Sequence, residues 1–280
     1  MKGKIYSVTV TYNPSIEDRK LERQIRFLLE NEIVPIIVDN GSDNVEDLRE
    51  LLLIFADKVK MIGLDRNYGI GKALNIGIKD SLKNDDCKWI LTLDQDTFFK
   101  EDSFQRMQYA LEKYDNDQLG IIGFNYEKTR FNKKYLANRT CIPRFTNFTI
   151  TSGSLAKRTV YELVKYDEDL FMYFLDDDLC QKVRKIGYKI MILSDAFIIH
   201  SEGERVYRHN EEFFVLNPNR FFYVGRNSII MSLRYHTIRP ILYLIFLFLE
   251  NIFAGFYLSD TFVLMIRGIF NGIYRNENRI

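Results

Sequence analysis

Along the first third of this chain, apolar residues repeat with a period of two and then with a helical period, and the two patterns take turns. Ile5 to Thr11 alternates and is β-branched, which predicts a strand, and Tyr12-Asn13-Pro14-Ser15 ends it. Ile16 to Glu30 carries Leu21, Ile25, Leu28 and Leu29 at helical spacing. A second strand is predicted over Ile33 to Val38, stopped by Asp39-Asn40-Gly41-Ser42, with a second helix over Asp47 to Phe55. Val59 to Leu64 predicts a third strand, and Lys72 to Leu82 a third helix. Trp89 to Leu93 is an apolar run too short for a helix and rich in strand formers. It reads as a buried central strand, and it ends in Asp94-Gln95-Asp96. Strands alternating with helices in this way imply an α/β fold, a mostly parallel sheet with helices on both faces.

After Asp94 the pattern loosens. Phe104 to Tyr114 predicts a helix and Gly120 to Asn125 a strand, while Tyr126 to Arg144 is basic and irregular and reads as a surface loop. Phe148 to Leu155 reads as a strand closing in a turn of small residues, and Thr159 to Lys165 as a short helix. Phe171 to Cys180 sets an aromatic run ahead of three consecutive carboxylates, with a helix from Leu179 to Ile186 behind them. Tyr188 to Ile199 reads as two short strands ending at His200, and Phe213 to Tyr235 as a helix. Ile238 to Tyr274 is strongly apolar and predicts two helices parted near Ser259-Asp260. The division expected is a catalytic domain over 1–232 and an apolar helical extension over 233–280.

The chemistry sits at strand ends. Thr11, Asn13, Asp39, Asn67 and Asp94 all fall where strands finish on one edge of the sheet. Open α/β sheets bind ligands at that edge, so these turn residues together mark a candidate nucleotide pocket. Asp94 and Asp96 offer two carboxylates that suit a hard cation, Mg²⁺ or Mn²⁺, whose natural partner is a phosphate. A net charge of +1 over 280 residues argues against a nucleic-acid binder. Three cysteines, Cys87, Cys141 and Cys180, give neither a zinc nor a disulfide framework, which points to a reducing cytosol. The first residues lack the apolar stretch of a secretory signal.

The ordered series of motifs resembles the inverting, nucleotide-sugar-dependent glycosyltransferases of family 2, with the GT-A fold. It runs from Thr11-Tyr12-Asn13 through Val38-Asp39-Asn40-Gly41-Ser42 and the stretch Asn67 to Asn75 to Asp94-Gln95-Asp96. Thr151-Ser152-Gly153-Ser154, Asp176-Asp177-Asp178-Leu179-Cys180, His200 and Arg226-Asn227 complete it. The Asp-Gln-Asp form, the Thr-Ser-Gly-Ser turn and the Arg-Asn pair look most like the bacterial rhamnosyltransferase branch, whose members typically use dTDP-L-rhamnose to build surface polysaccharides. The Glu-Asp that many relatives carry is Leu175-Asp176 here. Aligning Leu179-Cys180 with the relatives' pattern places the base at Asp176, with Asp177 and Asp178 as further acids.

The resemblance implies a role for each position. Asp94 and Asp96 hold the cation, and His200 is a further ligand or phosphate contact. Asp39 accepts a hydrogen bond from the N3–H of uracil or thymine, with Thr11 and Asn13 as polar neighbours. Asn67, Gly71 and Asn75 approach the ribose and diphosphate. Ser152 and Gly153 lie on the acceptor side. The donor is then a dTDP- or UDP-linked sugar, and the acceptor a saccharide carried on lipid. Other readings stay open: a UDP-sugar-dependent glucosyl, galactosyl or galactofuranosyl transferase, a polyprenyl-phosphate sugar synthase, or a non-catalytic nucleotide-sugar-binding subunit. The extension has Glu250-Asn251 interrupting its apolar run and arginines at 234, 239, 267 and 275. It is expected to lie in the membrane interface at the cytoplasmic face, the alternative being packing on the catalytic core or on a second copy of the chain.

Overall fold

The computed structural model describes residues 3–100, 102–130, 133–136, 143–199, 204–208, 211–255 and 258–277. Strand β1 (Lys4–Thr11) is followed by α1 (Lys20–Glu30), β2 (Val34–Asp39), α2 (Val45–Leu53), β3 (Lys60–Gly63), α3 (Ile70–Ser81) and β4 (Cys87–Asp94). Every element in this half lies within a few residues of where the periodicity puts it. Next come β5 (Phe98–Phe99), α4 (Ser103–Tyr114), β6 (Leu119–Arg130), β7 (Lys133–Leu136), β8 (Arg144–Thr146), β9 (Ser154–Lys157) and α5 (Arg158–Leu163). They are followed by α6 (Leu175–Lys185), β10 (Lys189–Ile199), β11 (Glu204–Arg208), β12 (Glu211–Val215), α7 (Pro218–Tyr235), α8 (Arg239–Ala254) and α9 (Leu258–Glu277).

The main path of the sheet runs β3-β2-β1-β4-β9-β6-β10-β5. The β3-β2-β1-β4 half is parallel, as is the β6–β10 pair. β9 is antiparallel to both β4 and β6, and β5 and β8 are antiparallel to β10, so the sheet is mixed. Ile37 packs in a cluster with Leu21 and Ile25 of α1 and Leu48 and Leu52 of α2. Its neighbour Val38 points the other way, onto α3, where a Cβ on Gly77 would lie 2.9 Å from it and 2.4 Å from Val8. Helices therefore cover both faces of the parallel half. Trp89, Ile90, Leu91 and Leu93 on β4 are fully buried. Register carries the core to the site: Thr11 pairs with Asp39, Val10 with Asp94, and Asp39 with Gly63, so the strands finish level.

The structure corrects the second half in five places. Most described residues of the expected 126–144 loop are strand, with Glu127–Arg130 pairing Lys133–Leu136 as a hairpin. Thr151 to Gly153 form the turn, and the strand follows it as β9, because Ser154 to Lys157 pair across to Thr92–Trp89. α6 begins at Leu175, so the acid triplet occupies its first turn, where carboxylates favour the helix dipole. Lys189–Ile199 is one strand with a break in register between Leu193 and Phe197 rather than two strands. Glu211–Val215 pairs with Glu204–Arg208, which delays α7 to Pro218, where Asn217 caps it.

The chain divides into two compact units: Met1–Tyr126, Asn138–Phe171 and Leu175–Ser201 form one, and Glu127–Ala137, Met172–Phe174 and Glu202–Ile280 the other. In the second, α7 and α9 approach closely at glycines. A Cβ on Gly268 would lie 2.1 Å from the Phe222 carbonyl oxygen, and one on Gly272 2.5 Å from that of Arg226. α8 buries Leu244 and Leu247 in an apolar cluster and its one polar pair beside them. Glu250 and Asn251 are buried, and Asn251 both donates to the Leu216 carbonyl and accepts from the Leu216 N–H at 3.1 Å. Leu242, Ile245, Leu249, Ile252 and Phe253 are exposed instead. The pair expected to interrupt the apolar surface is therefore turned inward. The two helices part at Gly255, a few residues ahead of Ser259-Asp260.

Candidate functional site

The nucleotide side is built on the turn after β2. Asp39 is buried and already engaged: Thr11 Oγ1 donates to Oδ1 at 3.2 Å, Ser42 N donates to Oδ2 at 3.0 Å, and the Ser42 hydroxyl donates to Oδ1. Oδ2 has one lone pair beyond these bonds. Asn13 adopts a positive φ of 45°, its N–H reaches Ser42 Oγ at 2.8 Å, and its side chain pairs with Asp43. Asn67 Oδ1 accepts from Asn40 Nδ2 at 3.0 Å and from the Gly69 N–H at 2.9 Å. These bonds lock the β2 and β3 turns together. Gly41 is required there, since a Cβ would lie 2.4 Å from the Arg66 backbone.

Gly71 and Asn75 also hold α3 against the chain that follows α5. The Asn75 amide donates to the Tyr166 carbonyl and to Glu168, and its oxygen accepts from the Tyr166 N–H, each at 3.0 Å. A Cβ on Gly71 would lie 2.9 Å from Leu175 and 3.0 Å from the Asp167 carbonyl oxygen. Both residues pin the 166–175 segment onto α3.

Asp94 and Asp96 lie half-buried at the end of β4. Two buried side chains fix their turn from opposite sides. Gln24, reaching up from α1, donates to the Asp94 and Thr97 carbonyls at 2.8 Å and is itself held by Thr9 at 3.0 Å. Ser152 accepts from the Asp94 N–H at 2.9 Å and shares a hydroxyl bond with Thr97. Gly153 has a φ of 80° and donates to the Thr92 carbonyl at 2.8 Å, so Ser152 and Gly153 brace the acid loop from behind. The Asp96 carboxylate has no hydrogen bond or ion pair among the described residues. No group of three potential ligands gathers among those residues. His200 lies outside them. Two carboxylates with phosphate and water completing the shell is the usual way Mg²⁺ is held beside a phosphate, so the residues present fit such a cation.

The acid triplet separates into three environments. Asp177 is exposed, and Asp178 is buried against Lys182 at 2.6 Å. Asp176 accepts from the Thr151 N–H at 3.0 Å and from the Thr151 hydroxyl. Removal from water pushes its carboxyl up to about 7 against the opposing Thr151 hydroxyl bond, and the charges of Asp177 and Asp94 push the same way. A carboxylate poised near neutral pH and facing other acids is suited to take a proton. In the second unit, Asn227 donates to the Met172 and Tyr173 carbonyls at 2.6 and 3.2 Å, and Arg226 Nε donates to Asn227. That pair holds the stretch of chain that runs into α6.

Sequence reasoning missed Gln24 and gave Thr151, part of the Thr-Ser-Gly-Ser motif, no role of its own. Gln24 had a signal, being a polar residue on the Leu21–Ile25–Leu28 stripe of α1.

Comparison with known proteins agrees with this architecture. A dTDP-rhamnosyl transferase, RfbF of Shigella flexneri, is 28% identical over 252 residues, covering 84% of this chain and 82% of that protein. A crystal structure of GalNAc-T7 with UDP, GalNAc and Mn²⁺ superposes with a TM-score of 0.57 at 14% identity, over 81% of this chain and 51% of that one. Residues 1–349 of Staphylococcus aureus TarS superpose with a TM-score of 0.54 at 15% identity, over 82% of this chain and 66% of that one. This chain thus spans about half of the GalNAc-T7 chain and about two thirds of the TarS one, and at such identities the likeness is one of fold, the GT-A type. The family model for glycosyl transferase family 2 matches residues 8–164, more than half of the chain. The chain belongs to glycosyl transferase family 2 and is a glycosyltransferase.

Proposed function

We propose that the enzyme transfers a sugar, L-rhamnose from dTDP-L-rhamnose, to a saccharide acceptor with inversion, assisted by Mg²⁺ or Mn²⁺. The observation that carries the reading is Asp176, a Thr151-anchored carboxylate with its pKa near 7, in the same compact unit as Asp39, Asp94 and Asp96. Asp39 receives the N3–H of the pyrimidine, and Thr11 and Ser42 fix the orientation of its carboxylate. Asp94 and Asp96 hold the cation, which supplies Lewis-acid neutralisation of the leaving diphosphate. Asp176 takes the proton of the acceptor hydroxyl as that oxygen attacks the anomeric carbon from the face opposite the diphosphate. RfbF, named a dTDP-rhamnosyl transferase, supports the choice of sugar. A UDP-sugar is the second reading, supported by the UDP bound in the GalNAc-T7 structure. A calorimetric titration should show dTDP and UDP bound more tightly than GDP, because Asp39 is read as the acceptor of a pyrimidine N3–H. Tighter binding of GDP than of both would overturn the role of Asp39.

The acceptor is read as lipid-carried, with the second unit resting on the cytoplasmic leaflet. The outward apolar stripe of α8 supports this, as do the exposed Arg239, Arg267 and Arg275. No helix among the described residues is long and apolar enough to cross a membrane. The 16 residues of α8 reach roughly 24 Å, short of the ~30 Å hydrocarbon core. Flotation with vesicles containing phosphatidylglycerol should recover the full chain with the lipid. Leu242→Glu with Leu249→Glu should abolish recovery while leaving dTDP binding intact. Recovery of the double variant at the level of the parent would show that this stripe is a packing surface, for instance between two copies of the chain.

A further inference from the structure

A cavity of about 650 Å³ lies in the first unit, between β8, the turn that ends α6 and the start of β10. Lys189 opens β10 and pairs with Leu119 at the start of β6, while Ala156 of β9 sets Ile121 level with Ile90. The cavity is therefore at the end of the strands opposite Asp94, and the reaction as described makes no use of it. β8 is held there by pairing with β10, Phe145 opposite Met191. Gly187 ends α6 with a φ of 92°, and a Cβ on it would meet nothing within 4 Å, so the turn leaves the mouth open. Tyr188 is fixed in the wall by donating to Thr159 Oγ1 at 2.9 Å.

Arg144, Arg184 and Lys189 line this cavity, and none of its lining residues is acidic. In a chain of net charge +1 that is a local excess of positive charge. Arg184 and Lys189 are exposed, and neither makes an ion pair among the described residues. Arg184 stands in the last turn of α6, where a cation also suits the helix dipole. That role does not account for what β8 places opposite it. Phe145 is 55% exposed, with Lys189 Nζ 5.4 Å from its ring centre. The exposed Asn147 side chain makes no hydrogen bond among the described residues.

Each of these groups matches one part of an acidic sugar. The face of an aromatic ring is negative and attracts the weakly positive C–H groups of a pyranose. A guanidinium and an ammonium pair with a carboxylate or a phosphate. A primary amide bonds hydroxyls as donor and acceptor. The volume falls in the range of roughly 300–1,000 Å³ usual for small-molecule sites. We propose that this cavity binds an anionic saccharide, a uronate- or phosphate-bearing stretch of the acceptor distant from the hydroxyl that reacts. The choice of a sugar rests on the proposed saccharide acceptor.

Calorimetric titration of the full chain tests this, with trigalacturonic acid, a phosphorylated maltotriose, maltotriose and inorganic phosphate as probes. At least one acidic sugar should bind more tightly than both maltotriose and phosphate, and more weakly as salt is raised. Which of the two it is tells a carboxylate ligand from a phosphate one. Arg184→Gln and Phe145→Ala should each weaken that binding by about tenfold. Both side chains are exposed, so Tm and the Kd for dTDP should not move. Lys58→Gln, which removes a like charge ahead of β3, should leave the acidic sugar bound as before. Binding of neither acidic sugar, or of maltotriose equally well, overturns the proposal. So does full affinity in Arg184→Gln or Phe145→Ala, which would place the sugar elsewhere. Phosphate bound as tightly as the acidic sugars would reduce the cavity to a simple anion patch. If the acidic sugar binds as expected but dTDP-L-rhamnose is not transferred, the proposed donor fails and this site stands.

Discussion

Asp176→Asn should lower kcat by roughly 10²–10⁴-fold, the usual cost of losing a general base. The amide keeps the shape and can still accept from Thr151, but it cannot take up the acceptor proton. Donor affinity should persist, because nothing on the nucleotide side rests on this side chain. The parent profile of kcat/KM should rise with pH, since the base works only when ionised. Its midpoint should lie near 7 without bound charge nearby. A cation beside Asp94 favours the ionised form and draws the midpoint lower. The neighbouring acids serve as controls. Asp177→Asn should leave turnover nearly intact, as its side chain is exposed. Asp178→Asn strips Lys182 of its buried partner, so it should lower Tm more than it lowers turnover in the folded fraction. Stopped assays across pH with the three variants decide the matter. A larger loss of kcat in Asp177→Asn than in Asp176→Asn would move the base to Asp177.

Chelation should have an effect of at least the same size. EDTA should abolish transfer, and Mg²⁺ or Mn²⁺ added back should restore it. Asp96→Ala should weaken dTDP-sugar binding as well as turnover, because its carboxylate has no hydrogen bond or ion pair among the described residues and is read as a cation ligand. It should leave Tm nearly unchanged for the same reason. Asp94→Ala should cost activity equally. Thymidine, which lacks the diphosphate, should bind the parent and Asp96→Ala alike. Full activity of Asp96→Ala in chelator would sink the metal reading, and equal losses for thymidine and dTDP would mean that the change has collapsed the pocket.

Much of this was legible in the sequence where interactions are local or strongly periodic. The parallel half of the sheet follows from runs such as Ile33 to Val38 and Trp89 to Leu93, and Asp39 and Asp94 fall at strand ends because polar turn residues stop those runs. What escaped depends on partners distant in the chain. β9 is a strand because Thr92 to Trp89 lie opposite it, some sixty residues earlier, and no local pattern in Phe148 to Leu155 gives that register. The β11–β12 hairpin carries charge on both strands, which masks its alternation. The inward turn of Glu250 and Asn251 answers to the free backbone groups of Leu216, a need visible only once β12 ends there.

The short turn Thr151-Ser152 touches both halves of the site: Ser152 receives the Asp94 N–H, and Thr151 holds Asp176. The two acids are thus tied to adjacent residues of one rigid turn. On the proposed reading, the turn that supports the donor side is also the one that anchors the base. Any such coupling is reciprocal, so whatever factor donor occupancy applies to acceptor affinity, acceptor occupancy must apply to donor affinity. On that reading, any linkage between the two substrates would pass through these two consecutive residues.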